Sequence, residues 1–239
     1  MNKNGNKGLI VVPVYNEETA LSRVIEKLKG RLDNCSVLFI NDGSIDKTSS
    51  ILEEMGCWVI SHPINMGYIE ALRTGVEVAL IEGYDFIIFF DGDGQHRTED
   101  LNKVIKYYEE NKSEVDVIVG ARAVGAASFA RRFLSKIFFI FVRLVSGLSV
   151  RDTTSGMKLL SKRAMIAFKN ALLEDGHAEL LVYFSLMGIR VREVPIKVEE
   201  RQSGSSMYHL QKLIFYPLRT CYLIFGALLH RIIQGKLKI

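Results

Sequence analysis

FIIFFDGDGQH, residues 86–96, sets five consecutive apolar residues directly against a glycine-flanked acidic turn. An apolar run without polar interruption is what a strand buried on both faces requires, as in a parallel sheet covered by helices on each side. Outward from it, short β-rich apolar runs stand at 9–14, 37–41, 58–61 and 115–120, and the segments 19–29, 46–55, 67–82 and 99–111 between them carry helical spacing. Leu21, Val24, Ile25 and Leu28 supply the i, i+3, i+4, i+7 stripe of the first helix. Ser44 and Thr98 are placed to cap the second and fourth. This alternation predicts an α/β fold: a Rossmann-like, mostly parallel sheet flanked by helices. Ligands of such sheets bind beyond the carboxyl ends of the strands. The polar clusters Tyr15-Asn16-Glu17, Asn41-Asp42-Gly43-Ser44 and Asp91-Gly92-Asp93-Gly94-Gln95-His96 stand there.

The chain has 239 residues, 48% hydrophobic and 24% charged. That is enough apolar material for one sizeable core and too much for a disordered chain. A formal charge of +4 is a mild basic excess, suited to an anionic partner but far from a nucleic-acid-binding signature, so no nucleic acid is expected. Cys35, Cys57 and Cys221 have no CxxC spacing. They fit neither a disulfide framework nor a zinc site, and burial in a reducing compartment is the expectation. The opening residues have only a six-residue apolar run before acidic residues, unlike a secretory signal, which places the protein on the cytosolic side.

From about residue 121 the rhythm changes. In 131–150 (RRFLSKIFFIFVRLVSGLSV), Phe133, Ile137, Ile140, Phe141, Leu144, Val145 and Leu148 share one helical face, with Arg131 and Arg132 at its start. Residues 208–233 are similarly apolar but interrupted by Lys212, Pro217, Arg219, His230 and Arg231. The longest uncharged stretch there, 220–229, reaches only about 15 Å as a helix against a hydrocarbon core of about 30 Å. Both segments read instead as basic amphipathic helices lying in a membrane interface, with Lys236 and Lys238 adding attraction to anionic lipid.

Asp91-Gly92-Asp93 is the sharpest chemical feature. Two carboxylates two residues apart, at the end of a buried strand, can converge on a hard cation such as Mg²⁺ or Mn²⁺, and glycine lets the backbone bend and a ligand approach. Magnesium so held completes its shell with water and phosphate oxygens, which points to a nucleoside diphosphate or triphosphate. The alternatives fail on specific residues. No GxGxxG follows the first strand and no GxxxxGK[ST] occurs. The phosphatases of haloacid-dehalogenase type, which also use DxD, carry it after the first core strand, whereas here it follows the fourth.

VPVYNE at 12–17, NDGS.D.T at 41–48, N.G at 65–67 followed by Ala71 and Gly75, DGDGQH at 91–96, GAR at 120–122, D.TSG at 152–156 and EVPI....R..G.S at 193–206 stand in one order along the chain. In that order they resemble the inverting family 2 glycosyltransferases of GT-A fold, in particular the polyprenyl-phosphate branch that includes dolichol-phosphate mannose synthase and its bacterial relatives. The resemblance covers about residues 8–207. It implies a GT-A catalytic domain over 1–207, the amphipathic helix at about 131–148 included, and a C-terminal membrane-interface helix with a basic tail over 208–239. It further implies transfer of a sugar from a UDP- or GDP-linked donor to a dolichyl or undecaprenyl phosphate, with inversion, by a peripheral protein on the cytoplasmic face of the membrane. A second copy or a membrane-protein partner is left open.

The resemblance also implies roles. Pro13, Tyr15, Glu17, Asp42, Gly67, Gly92 and Asp93 would hold the donor. Asp91, Asp93 and Gln95 would carry the metal, and Asp91, Asp93 and Arg122 would form the catalytic group. Arg122, Arg131, Arg132, Arg201 and Ser206 would bind the acceptor phosphate, guanidinium forks being suited to paired phosphate oxygens. Asp152 is assigned to organising the acceptor side. A phosphate monoester, with a second pKa of about 6, arrives largely ionised and needs no base. If the acceptor were a saccharide hydroxyl instead, Asp152 or Glu179 would be the candidate base. A third reading, a non-catalytic nucleotide- or lipid-binding subunit, is disfavoured by the intact DGD, since paired carboxylates beside phosphate repel without a metal. The sequence departs from the pattern at Asn41-Asp42, where Asp-Asp is more usual, and at Met207, where these enzymes commonly carry lysine. The membrane-spanning segments that some members append find no match here.

Overall fold

The computed structural model describes residues 7–29, 34–92, 94, 97–122, 143, 147, 150, 152–171 and 177–197. Chain order is β1 (Gly8–Val14), α1 (Leu21–Leu28), β2 (Cys35–Asn41), α2 (Thr48–Glu54), β3 (Val59–Ser61), α3 (Tyr68–Ile81), β4 (Phe86–Phe89), α4 (Thr98–Asn111) and β5 (Val117–Arg122). Then follow β6 (Lys158–Ser161), α5 (Lys162–Lys169), α6 (Ala178–Leu186) and β7 (Val191–Ile196). The strands form one sheet in the order β3-β2-β1-β4-β6-β5-β7.

The pleat divides each strand between two cores. Leu9, Val11, Leu38, Ile40, Ile87 and Phe89 face α3, α5 and α6, while Ile10, Val12, Phe39, Phe86 and Ile88 face α1, α2 and α4. The stripe Leu21, Val24, Ile25 and Leu28 is the buried face of α1. Gly75 of α3 lies so close to β1 that a Cβ there would meet Val11 Cγ2 at 2.8 Å. Pro13, although in a central strand, lies beyond the last β1–β4 pair, Val11 with Phe89. Its missing N–H therefore breaks no ladder bond.

The sheet is mostly parallel, as expected, with β1–β2, β1–β4, β2–β3 and β5–β7 parallel and β6 alone antiparallel, to both β4 and β5. The helix caps differ from the sequence reading. Ser44 accepts from Asn16 N–H, and α2 begins at Thr48, whose N–H donates to Asp46 Oδ1 at 2.9 Å. Thr98 is the first residue of α4, behind Arg97 at the cap position. Elements after residue 150 that the sequence reading did not place are β6, α5, α6 and β7. β6 passes directly into α5 through Ser161, whose hydroxyl accepts Ala164 N–H at 3.3 Å.

Cys35 and Cys57 are half-buried beside Ile25, Leu28 and Trp58 rather than fully buried. Burial, with the Glu109 charge added, pushes the Cys35 thiol up to about 11, which leaves it unreactive. Cys221 and the segment 208–239 lie outside the described residues, as does most of 131–150. In that stretch Arg143 is exposed, Val150 is buried, and Gly147, at φ +70, donates to the Arg143 carbonyl at 2.8 Å. Among the described residues no helix is long and apolar enough to cross a membrane.

The chain lays down β1, β2 and β3 outward and then returns to place β4 on the other side of β1. In open α/β sheets such a reversal leaves a crevice beyond the carboxyl ends of the strands beside it, here β1 and β4, and ligands bind there.

Candidate active site

β1 and β2 end in register, Val14 opposite Asn41, so their outgoing loops start side by side. Asn16 adopts φ 54, a left-handed conformation that asparagine tolerates. Its N–H donates to Ser44 Oγ at 3.0 Å and its Oδ1 accepts Ile45 N–H at 2.9 Å. Glu17 N–H donates to Thr48 Oγ1 at 2.9 Å, Glu18 N–H to Asp46 Oδ2 at 3.2 Å, and Lys47 N–H to Glu18 Oε2 at 3.1 Å. Burial pushes the Asp46 carboxyl up, but the hydrogen bonds from Thr48 and Glu18 outweigh it and hold the group below its ordinary range. The result is a stitched rim that presents Tyr15, 43% exposed, and Glu17 beside the crevice.

Asp42 is buried at 4% exposure. Its Oδ1 accepts from Met66 N–H at 2.9 Å and meets His62 Nδ1 at 2.7 Å, and its Oδ2 accepts from Gly67 N–H at 2.8 Å. The carboxylate thus grips the turn that leads into α3. Gly43, at φ +68, is pressed against the backbone of Ile64 and Asn65, where a side chain would overlap. Gly67, at φ +97, is the N-cap residue of α3.

Asp91 follows β4 and is partly exposed. Its Oδ1 accepts from the Tyr68 hydroxyl at 3.3 Å, and the Tyr68 ring stacks on His177 with centroids 5.3 Å apart. Two glycines line the carboxylate's surroundings. A Cβ on Gly156 would overlap the Asp91 carboxylate, and one on Gly92 would come 2.7 Å from Val14 Cγ1 and 3.0 Å from the Pro13 carbonyl. A strand-end carboxylate beside bare backbone would suit a hard cation, so the donor type fits Mg²⁺ or Mn²⁺. Among the described residues no three His, Cys, Asp or Glu side chains group as a metal site. Asp93 and Gln95, the other expected ligands, lie outside them.

Arg122 and Asp152, both expected on the acceptor side, meet because β6 enters between β4 and β5. Residues 152–156, which precede it, emerge at the carboxyl ends of both neighbours. Arg122, ending β5, forks onto Asp152, with Nε to Oδ2 at 2.8 Å and Nη2 to Oδ1 at 2.9 Å, and Nη2 also reaches Thr154 Oγ1 at 2.6 Å. Arg122 N–H donates to Asp152 Oδ2 at 3.0 Å, and Asp152 N–H donates to Glu193 Oε1 of β7 at 2.8 Å. The GAR, D.TSG and EVPI motifs are therefore one hydrogen-bonded group. Burial raises the Asp152 carboxyl, but the hydrogen bonds and charge of Arg122 outweigh it and hold the group below the usual carboxylate range. Lys158, 1% exposed, donates to the Ser155 carbonyl and secures the same loop. Glu179 is buried in the first turn of α6.

The structure thus brings Pro13, Tyr15, Glu17, Asp42, Gly67, Asp91, Gly92 and Arg122 to one end of the sheet. Arg131, Arg132, Arg201 and Ser206 lie outside the described residues. Sequence reasoning assigned no role to His62, Thr74, Tyr68, His177 or Glu193. A histidine three residues before Asn65 and a tyrosine directly after Gly67 were the available signals.

A family model described as glycosyl transferase family 2 matches residues 9–168. An uncharacterized protein of Methanocaldococcus jannaschii is 31% identical over 204 residues, spanning 81% of this chain and 82% of the relative. A UDP-N-acetylglucosamine–dolichyl-phosphate N-acetylglucosaminyltransferase of Methanococcus voltae is 29% identical over 215 residues, 79% of this chain and 84% of the relative. Among solved structures, glucosyl-3-phosphoglycerate synthase from Mycobacterium tuberculosis, in complex with Mn²⁺, UDP-glucose and phosphoglyceric acid, aligns with TM-score 0.70 at 15% identity. That alignment covers 94% of this chain and 80% of the other, a likeness of fold. The motif order, the crevice at the sheet reversal and the matched family model converge, and the chain belongs to glycosyltransferase family 2, a sugar transferase of GT-A fold.

Proposed function

We propose that this glycosyltransferase moves a sugar from a nucleotide-diphospho-sugar to a polyprenyl phosphate, with inversion and with a divalent cation, at the cytoplasmic surface of a membrane. The observation that carries the reading is the Arg122–Asp152 fork. A saccharide hydroxyl acceptor would need a base that takes its proton. Asp152, the nearest acid to Arg122, has both oxygens engaged and is held below the usual range, which makes it a weak base. An acceptor that arrives as a phosphate dianion needs a directed cation instead. Arg122 is that cation: Asp152 sets the plane of its guanidinium, and 39% of its side chain remains exposed. The dolichyl-phosphate transferase of Methanococcus voltae supports the same acceptor class.

On this reading the rim of Pro13, Tyr15, Glu17, Asp42 and Gly67 holds the base and ribose. Asp91 stands where the donor diphosphate leaves, and Arg122 holds the acceptor phosphate on the opposite side of the anomeric carbon. Attack from that side in one displacement inverts the centre. A divalent cation held by Asp91, Asp93 and Gln95 would supply Lewis-acid stabilisation of the leaving diphosphate. Arg131, Arg132, Arg201 and Ser206 complete the acceptor phosphate site, and the amphipathic segments at 131–148 and 208–239 hold the catalytic domain, residues 1–207, against the bilayer.

The test is incubation of the purified protein with a polyprenyl phosphate, Mg²⁺ or Mn²⁺, and a panel of UDP- and GDP-sugars, with the lipid read by mass spectrometry against Arg122→Ala. A metal-dependent glycosyl-phosphoryl-lipid is expected. A lipid that stays unmodified while a nucleotide sugar binds would overturn the acceptor assignment and move attention to a saccharide hydroxyl, with Glu179 as base.

A further inference from the structure

His62 follows β3 and is 8% exposed at its side chain. Nδ1 lies 2.7 Å from Asp42 Oδ1 and Nε2 lies 2.9 Å from Thr74 Oγ1, on the second turn of α3. Its own N–H donates to the Asn41 carbonyl at 2.8 Å, which ties it to the end of β2 as well. A carboxylate only accepts, so Nδ1 carries a hydrogen. Nε2 then accepts the Thr74 hydroxyl, or donates to it while Thr74 donates to the Glu70 carbonyl, 3.1 Å away. In either arrangement both ring nitrogens are engaged.

The order carboxylate–imidazole–hydroxyl is that of a hydrolytic triad, but the accessibility is not. The imidazole is buried, and its hydroxyl partner sits on a helix against that helix's own carbonyl. The array is a strut. One end is Asp42, which grips Met66 and Gly67; the other is α3, whose first residue, Tyr68, places its hydroxyl on Asp91.

We propose that His62 is a positioning residue of the transfer reaction, fixing the spacing between the Asp42 rim and the Asp91 carboxylate that together receive the nucleotide-diphospho-sugar. The proposal rests on the donor site assigned above. It goes beyond that assignment in giving a residue that touches no substrate control over donor affinity.

The experiment compares His62→Ala, His62→Asn and Thr74→Val with the wild-type protein. Three quantities are read: binding of UDP and of GDP with Mn²⁺ by calorimetry, the KM values for donor and acceptor, and the melting temperature. Asparagine keeps an N–H donor where Nδ1 stands. His62→Ala should weaken nucleotide binding and raise the donor KM by about tenfold or more, leave the acceptor KM within about twofold, and change kcat little. His62→Asn should recover most of that loss, and Thr74→Val should show a smaller loss in the same direction. If His62→Ala fails to fold, the asparagine and valine variants carry the comparison. Wild-type binding with unchanged nucleotide affinity in the variants would overturn the His62 role alone. Donor and acceptor KM rising together, with no recovery by asparagine, would also overturn it. A wild-type protein that binds neither nucleotide would overturn the donor site and the His62 proposal together.

Discussion

Gly156→Ala tests whether the loop before β6 sets the geometry of Asp91. A methyl at this position would overlap the Asp91 carboxylate, and ordinary contact would be restored only if the carboxylate retreated by on the order of 2 Å. The backbone of Gly156 is outside the left-handed region, so alanine brings no conformational strain of its own. The stability effect is therefore the difference of two terms. Overpacking costs about 1–3 kcal/mol, and the reduced freedom of the unfolded chain returns about 0.4–1 kcal/mol. The net loss is at most about 2.6 kcal/mol, or roughly 10 °C in melting temperature for a domain of this size. The activity effect is larger. A displacement of about 1 Å in a reacting group costs about 100-fold, so kcat/KM should fall at least that far while the protein stays folded at 25 °C. The assay is sugar transfer to polyprenyl phosphate alongside thermal unfolding, with Gly75→Ala as the comparison. Gly75 meets Val11 of β1, away from Asp91, so that variant should lose stability without a matching loss of turnover. A Gly156→Ala protein with more than about a third of wild-type kcat/KM would refute the reasoning that Gly156 holds Asp91 in place.

Asp152→Asn should break the fork on Arg122 and lower kcat/KM for the acceptor by about 10- to 100-fold with the donor KM nearly unchanged, and Arg122→Lys should not recover Arg122→Ala, because an ammonium cannot reproduce the fork; steady-state kinetics in both substrates decides. Asp116 is buried, and burial raises its carboxyl while the hydrogen bonds and charge of Arg190, with Arg163, outweigh that and hold it below the ordinary value. A carboxyl lowered in the folded state contributes stability that is present above about pH 4 and lost as pH falls through its folded value. Asp116→Asn should therefore cost about 1–2 kcal/mol at neutral pH, both guanidiniums being partly exposed, and should flatten the acid limb of the stability curve in denaturant titrations from pH 7 to 3. Gly43→Ala should destabilise by about 2–4 kcal/mol, because it combines a φ of +68 with a clash against the Ile64–Asn65 backbone; chemical denaturation will show whether it does. Asp93→Ala, or a chelator, should abolish transfer with little change in melting temperature, and retained turnover in the chelated protein would contradict the metal assignment.

Much of the fold is local and was legible. The spacing of Leu21, Val24, Ile25 and Leu28 specifies a helix face without reference to any partner, and FIIFF specifies a strand buried on both sides. The same is true of half the site. Tyr15 and Asp42 directly follow strands and Asp91 stands two residues past β4, and parallel strands bring such positions together at one end of a sheet. β6 was not legible, because KLLS is four residues long and lacks an alternating pattern. The strut was not legible either, since His62 and Thr74 are ordinary polar residues until α3 packs beside β2.

By itself the sequence determined the βα rhythm of the first half, the strand ends at which polar residues gather, and the family to which the ordered motifs belong. Each of these is encoded in periodicity or in residue type over a few positions. Tertiary structure alone decided that β6 enters antiparallel between β4 and β5, that Asp152 locks Arg122, that Gly156 backs Asp91, and that Asp42 closes on His62, Met66 and Gly67. These are contacts between segments tens of residues apart, and no short-range pattern specifies which strand edge a distant segment will pair with. The register is chosen by the whole sheet, when the burial of both faces and the satisfaction of every backbone group leave one arrangement that meets both demands.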